Sequence, residues 1–261
     1  MLPFIRIFSF TIPMYGLCIF LGLSTATYTA YILTKHNKLD FNNFIIIAAC
    51  TLGMALVSAK ILYIIVTYPI QKFPSILYSI LRGKDKGNMY GGFVFYGGLA
   101  GGITGFLAGC RIAKCKISDF INIFALITPL AHCFGRIGCF CAGCCYGKVT
   151  SCSIHVNYTH PISSVPTGIP IIPIQLYEAA GLFLIFLFIL IIFFKKREFS
   201  VPCYITLYSV MRFFLEFYRG DLQRGFLGVL STSQVISIAG FAAGCILFYK
   251  KHCRCYSIFT Q

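Results

Sequence analysis

An all-α integral membrane protein with seven transmembrane helices is the fold class this sequence predicts, and three observations carry the prediction. Of the 261 residues, 58% are hydrophobic and 11% are charged, less than half the roughly 25% charge of a soluble domain. The apolar residues gather into runs close to the ~20 residues that a bilayer core demands of a helix. Most of the Lys and Arg lie between those runs, where loops would meet lipid headgroups. Disorder is excluded, since it needs low hydrophobicity and high charge. The formal charge is +15, from 22 Lys and Arg against 7 Asp and Glu. No basic patch is set on a polar, aromatic-studded surface, so nucleic acid is not an expected partner. The charge suits anionic lipid or an anionic substrate.

In chain order the predicted spans are residues 12–33, 44–68, 92–110, 120–140, 174–194, 203–218 and 229–249. They form a single polytopic domain over residues 1–261. The first span holds Pro13 and Tyr15 and lacks a small-residue cleavage site, so it reads as a helix and not as a signal peptide. The third is rich in Gly and the sixth is short. Trp is absent, and the 16 Tyr and 27 Phe must supply the interfacial aromatic belts. Eleven loop Lys and Arg fall on one side of this arrangement and eight on the other. The richer side is expected in the cytoplasm, which places the C-terminus there and the N-terminus outside.

Ionisable residues inside the spans mark functional sites by default, because hydrocarbon makes them costly. They are Lys60, Arg136, Arg212, Glu178 near the start of the fifth span, and Glu216 one turn after Arg212. An ion pair that only holds helices together is the competing reading for Arg212 and Glu216. Arg136 heads Gly135-Arg136-Ile137-Gly138-Cys139-Phe140-Cys141-Ala142-Gly143-Cys144-Cys145-Tyr146-Gly147, where four Gly in thirteen residues predict an irregular backbone. Such backbone at membrane depth lines a cavity or is buried in protein. A second Gly-rich stretch runs from Gly91 through Tyr96, Gly97 and Gly98. It continues as Gly101, Gly105 and Gly109, at a four-residue spacing suited to tight helix packing. The pairs around Tyr96 predict a bent entry beside a site. The expected fold therefore has Gly-rich irregular segments lining a central lipid-binding cavity. Gln175, Tyr177 and Glu178 open the fifth span with unusual polarity.

The 14 Cys do not suit a disulfide scaffold, which is short and polar. Several lie in apolar runs as small hydrophobes. Cys139, Cys141, Cys144, Cys145 and Cys152, with His132, His155 and His160, form a denser group, and Cys141-x-x-Cys144 has metal or redox spacing. The second pair of a zinc ribbon is missing, so the expectation is no metal and no cofactor. A metal- or redox-active membrane protein is the alternative. A transporter is a third class, though no inverted repeat is visible.

Taken in order, these stretches resemble the bacterial prolipoprotein diacylglyceryl transferases over most of the chain. Tyr15-Gly16-Leu17 is similar to the family's early Tyr-Gly-Leu, and Ser58-Ala59-Lys60-Ile61-Leu62-Tyr63 to its Gly-Ala-Arg-x-x-Tyr. Tyr96-Gly97-Gly98-Leu99 resembles His-Gly-Gly-Leu. Asp119, Pro129 and then Gly135 to Gly147 resemble the signature Gly-Arg-Ile-Gly-Asn-Phe-x-Asn-Gly-Glu-x-Tyr-Gly. Pro173-Ile174-Gln175-Leu176-Tyr177-Glu178 matches Pro-Ser-Gln-Leu-Tyr-Glu. Arg212 to Arg219 matches Arg-Phe-x-x-Glu-x-x-Arg, and Ser233-Gln234 the late Gly-Gln. The departures are Tyr96 for His, Cys139 and Ala142 for two Asn, Cys144 for Glu, and Lys60 for Arg.

The resemblance implies seven spans in the bacterial cytoplasmic (inner) membrane and a monomeric enzyme. It implies transfer of a diacylglyceryl group from phosphatidylglycerol to the lipobox cysteine thiol of a prolipoprotein signal peptide, with glycerol phosphate released. Arg136 and Arg212 would then clamp the phosphate, and Tyr96 would stand where the family has a His. Tyr15, Lys60, Gly97, Gly98, Cys139, Tyr146, Gln175, Glu178, Glu216 and Arg219 would bind substrate or orient the clamp. A phenol is a poor base near neutrality, so thiol activation falls to Tyr96 beside a cation or to the positive field of the arginines. A divergent paralogue with another lipid acceptor remains the alternative within the family.

Overall fold

The computed structural model describes residues 3–7, 10–82, 93–159, 161, 165–221 and 225–259. The expected start of the third span at Gly92, together with Lys84, Lys86, Gly91, His160 and Arg224, lies outside the described residues. The fold is mostly helical, and every one of the seven expected spans coincides with a helix. The cores of the helices follow composition, whereas their ends follow capping.

An antiparallel hairpin, β1 (Phe4–Ile7) and β2 (Phe10–Pro13), pairs Phe4 with Pro13 and Ile5 with Ile12. Helix α1 therefore starts at Met14, two residues later than expected, and runs to His36. Lys35 and His36 in its last turn complement the helix dipole. Helix α2 (Phe41–Thr67) is capped by Asp40, whose side chain accepts a 2.9 Å hydrogen bond from the Asn42 amide. A short helix, α3 (Phe73–Leu81), occupies part of the expected outward loop, and α4 spans Phe95–Ile112. Helix α5 (Ile117–Ala142) is followed by a small cap in which β3 (Val156–Asn157) pairs with β4 (Pro170–Ile171). Helix α6 (Ile174–Lys196) and α7 (Ser200–Leu215) are separated by a 3-10 turn at Arg197–Phe199. Pro202 falls in the first turn of α7, where a missing N–H costs nothing. A second hairpin, β5 (Phe226–Leu227) and β6 (Leu230–Ser231), precedes α8 (Thr232–Phe259). The last span was expected from residue 229. Gly228 instead takes φ +64° and turns the chain, leaving Val229 at a fully exposed hairpin tip. Ser231 and Gln234 then cap α8 reciprocally: the Ser231 amide donates to Gln234 Oε1 at 3.0 Å, and the Gln234 amide to Ser231 Oγ at 3.2 Å.

Among the described residues, five stretches are long and apolar enough to cross a membrane: Met14–His36, Phe41–Thr67, Ile117–Ala142, Ile174–Tyr218 and Thr232–Cys253. The fourth contains both α6 and α7. Gly-rich α4 is not among the five. Large apolar side chains face outward along these helices, among them Leu56, Val57 and Val66 on α2 and Leu184, Phe188 and Ile191 on α6. An outward surface this apolar is suited to lipid and not to water. The opposite stripe of α6, with Glu178, Leu182, Ile185, Ile189 and Phe193, is buried at helical spacing.

The chain divides into two compact units, residues 34–120 and the remainder. In the first, α4 lies against α2 through Gly97, Gly101, Gly105 and Gly109, all buried. A Cβ at Gly105 would stand 2.5 Å from the Cys50 carbonyl oxygen, and one at Gly101 would strike the Met54 carbonyl. The stripe lets two backbones approach closely. The irregular entry expected at Gly97 and Gly98 is instead regular helix, because Gly97 heads the packing stripe. In the second unit the expected irregularity at Gly135 and Gly138 is likewise corrected: α5 stays helical to Ala142. Gly138 is needed for space, since a Cβ there would lie 3.1 Å from the Tyr15 ring and 3.2 Å from Cys18 Cβ. The break comes at Gly143, which adopts φ +79° and ends the helix in a left-handed turn.

Candidate active site

Four elements of the second unit bring their charged residues to one place. Helix α5 supplies Arg136, α6 supplies Glu178, the end of α7 supplies Arg212, and the 3-10 turn Glu216–Tyr218 supplies Glu216. Arg136 Nη2 lies 3.1 Å from Glu178 Oε1. The other carboxylate oxygen of Glu178 lies 3.6 Å from Arg212 Nη1. Arg212 Nη2 lies 2.7 Å from Glu216 Oε2 and donates to Ser233 Oγ at 3.4 Å. Glu178 is thus a shared counter-ion between two guanidinium groups, with a side chain only 2% exposed. Buried charges persist where they are paired and hydrogen-bonded, and removal of one partner is more harmful than removal of the pair. Arg136 Nε also donates to His132 Nε2, one turn earlier, at 3.2 Å. The imidazole therefore presents its lone pair at Nε2.

Gln175 Oε1 is a buried side-chain atom without a hydrogen-bond partner among the described residues. A buried acceptor left open near an ion network is where a donor of a polar ligand would bind. Gln175, itself 0% exposed, is fixed by its amide nitrogen, which donates to the Cys144 carbonyl at 2.8 Å and to Tyr158 Oη at 3.1 Å. Tyr15 lies on Gly138, two residues past Arg136.

After Gly143 the chain folds back on the last turn of α5. The Gly143 and Cys144 amides both donate to the Cys139 carbonyl, at 2.9 and 3.1 Å. Cys145 follows with φ +57°, a left-handed conformation unusual for a residue with a Cβ. The result is a group of three sulfurs, those of Cys139, Cys144 and Cys145, all within 4.8 Å of one another. The Cys141-x-x-Cys144 pair singled out by spacing is not the pair that meets. Cys141 instead meets Cys18 of α1, and Cys152 is exposed.

The segment then runs alongside the chain after α7. Gly147 bridges Arg219, and the Gly220 amide donates to the Tyr146 carbonyl at 3.0 Å. A Cβ on Gly147 would strike the Ile172 carbonyl and one on Gly220 the Gly147 carbonyl. Tyr146 packs in the cap core with Tyr158, Val165 and Ile171. Burial pushes the Tyr158 phenol up to about 12, so it stays protonated near neutrality. Arg219 holds Asp221 with two bonds, Nε to Oδ1 at 2.9 Å and Nη2 to Oδ2 at 2.6 Å. Burial works against its charge, but the bonds to Asp221 prevail and raise it above the usual guanidinium value.

The remaining expected site residues belong to residues 34–120. Lys60 Nζ lies 4.7 Å from the Phe93 ring centroid and 5.2 Å from that of Tyr63. This cation–π setting offsets part of the cost of a mid-helix ammonium. Tyr96 is half-buried in the first turn of α4, edge-on to Phe95. Gly98 has ordinary contacts with Ala55 and Ala59. Sequence reasoning missed His132 as the partner of Arg136, Tyr158 as the partner of Gln175, and Asp221 as the partner of Arg219. The four-residue spacing of His132 and Arg136, and Arg219-x-Asp221, were the available signals.

A helical frame with apolar outward faces and a buried Arg–Glu–Arg–Glu network defines a multi-pass membrane protein with an internal ion network. The comparison with known proteins makes this specific. The chain belongs to the prolipoprotein diacylglyceryl transferase family, whose family model matches residues 3–250. It is 36% identical over 255 residues to phosphatidylglycerol–prolipoprotein diacylglyceryl transferase 2 of Clostridium perfringens, covering 93% of this chain and 92% of that one. It is 37% identical over 250 residues to the phosphatidylglycerol–prolipoprotein diacylglyceryl transferase of Clostridium tetani, covering 93% and 94%. The protein of the same name from Finegoldia magna is 30% identical, with 94% and 93% covered.

Proposed function

We propose that this protein transfers a diacylglyceryl group from phosphatidylglycerol to the lipobox cysteine thiol of prolipoproteins, the first step of lipoprotein maturation. It acts as a monomer in the bacterial cytoplasmic membrane, with seven spans, the N-terminus outside and the C-terminus in the cytoplasm. The family and the relatives' activity support the reaction. The observation that carries the site is Glu178 held between Arg136 and Arg212, with Gln175 Oε1 left open on the same helix.

In this reading the phosphate of the donor lipid binds beside the two guanidinium groups. The acceptor thiolate attacks the glyceryl carbon, a C–S bond forms, the C–O bond breaks, and its electron pair goes to the phosphate oxygen. Growing charge on that oxygen is met by donors already in place, which is where electrostatic catalysis has most effect. Arg suits the task because its planar fork bonds two phosphate oxygens at once. Glu178 and Glu216 hold the two forks in orientation. Gln175 Oε1 accepts from a headgroup hydroxyl, and Tyr15 covers the site at Gly138. Arg219, tied to Asp221, anchors the loop behind the site.

The test is transfer of labelled diacylglyceryl from phosphatidylglycerol to a lipobox peptide in detergent. A thioether product is expected, and none with a Cys→Ser peptide. Complementation of a host depleted of its own transferase, read by mass spectrometry of a lipobox reporter, checks the same reaction in cells. Label on a different acceptor, with none on the peptide, overturns the assignment.

A further inference from the structure

We propose that Cys139, Cys144 and Cys145 form a three-thiolate site for one Zn2+ ion, with a fourth position open to an incoming thiol. Three sulfurs bound at about 2.3 Å from a common ion lie roughly 3.8–4.0 Å apart. These three already lie within 4.8 Å of one another, so the ion asks only for small side-chain rotations. All three are half-buried, shielded from bulk water yet reachable by a cation.

The site is built by the backbone. The Cys139 carbonyl accepts both the Gly143 and Cys144 amides, which folds residues 144 and 145 over the end of α5. Cys145 holds φ +57° to complete the set, a conformation that a space-filling residue has no reason to keep. Gln175 fixes the Cys144 carbonyl from α6. Charge also fits. Three thiolates around Zn2+ leave a net charge of about −1. Arg136 stands one turn before Cys139, and Arg219 is bridged to Gly147, two residues beyond Cys145. The sulfur group contains no carboxylate, so the donor set is soft and selects a thiophilic cation over Mg2+ or Ca2+.

Three protein ligands with a vacant fourth position are the pattern of reactive zinc, whereas structural zinc has four. The vacancy suits a thiol, because coordination strips a thiol of its proton at neutral pH. This half of the proposal rests on the reading that the acceptor is a lipobox cysteine. The acceptor thiol displaces bound water and its proton passes to solvent. The coordinated sulfur then forms the C–S bond as the C–O bond breaks toward the phosphate held by Arg136 and Arg212, and the neutral thioether dissociates. No oxidant or reductant is needed. Thiol activation would then not depend on the phenol of Tyr96, which is a weak base.

The test uses the full chain, purified reduced in detergent and titrated with Zn2+ against a competing chelator. One retained equivalent is expected. Cys139→Ser, Cys144→Ser and Cys145→Ser should each weaken retention at least ~10-fold, while Cys141→Ser and Cys152→Ser leave it unchanged. X-ray absorption of the zinc-loaded wild type should show three sulfurs at about 2.3 Å, a readout that survives if a variant fails to fold. With Co2+ in place of Zn2+, a lipobox peptide should alter the thiolate charge-transfer band, and its Cys→Ser version should not. No retained zinc, or equal retention by the Cys139/Cys144/Cys145 triple variant, overturns the site. An unmoved cobalt band overturns the open position. Normal diacylglyceryl transfer by chelator-stripped protein overturns the role in thiol activation while leaving the proposed function standing. Zinc retained without any transfer removes the function and leaves the site.

Discussion

At the scale of single residues, the network around Glu178 decides activity through geometry more than through charge. Arg136 and Arg212 reach Glu178 from two different helices, at 3.1 and 3.6 Å. A Lys at either position keeps the charge but replaces a rigid planar fork by a point charge on a flexible stem. Arg136→Lys and Arg212→Lys are each expected to lower turnover at least ~100-fold, the scale of losing one charge-stabilising donor, at unchanged protein level in the membrane. Near-normal transfer by either variant removes that residue from the phosphate clamp. Glu178→Gln should behave differently. It leaves two guanidinium groups short of a counter-charge in a buried setting, so about 3–5 kcal/mol of stability is lost along with activity, read as a lowered thermal midpoint in detergent. These three residues were legible in the sequence because a charge in an apolar run stands out. The pairing of Arg136 with His132 and of Arg212 with Ser233 was not, because both partners draw notice for other reasons, one beside the cysteines and one in a late motif.

At the scale of elements, the glycines divide by what stands opposite them. Gly101 faces the Met54 carbonyl and Ser58 of α2, whereas Gly102, one residue on, meets only Ala55 Cβ at 3.8 Å and Thr51 at 4.0 Å. Gly101→Leu is therefore expected to separate α4 from α2, at a cost of about 1–3 kcal/mol or more. Gly102→Ala should leave the detergent melting temperature unchanged. Equal effects of the two would show that the four-residue stripe is not a packing face. The stripe itself could be read from spacing. Its extension to Gly97 could not, because the Gly-Gly pair suggested a bend, and only the position of Ser58 and Ala59 on the facing helix makes Gly97 a contact residue. The helix break at Gly143 teaches the same lesson. Four Gly in the signature looked equivalent, yet two are helical, one takes a positive φ, and Gly147 lies where the Ile172 carbonyl leaves no room for a Cβ.

For the whole molecule, the expected orientation rests on the excess of Lys and Arg that follow the apolar runs of α1, α4, α6 and α8. A reporter active only in the cytoplasm should give signal when fused after Gln261 and be silent when inserted between residues 142 and 173. The opposite pattern inverts the topology. The apolar outward faces of α2 and α6 are consistent with either orientation, so only such fusions separate the two.

The sequence by itself determined that the chain lives in lipid, roughly where its helices lie, which charges are costly enough to be functional, and which family its motifs resemble. Each of these depends on composition or on neighbours a few residues apart, and such information is local. Tertiary structure alone decided that Glu178 is shared between Arg136 and Arg212, that Gln175 ties Cys144 to Tyr158, and that Cys144 meets Cys139 and Cys145 and not the Cys141 partner suggested by spacing. Those outcomes depend on helices brought together from distant parts of the chain, and on one left-handed turn whose direction no count of intervening residues reveals.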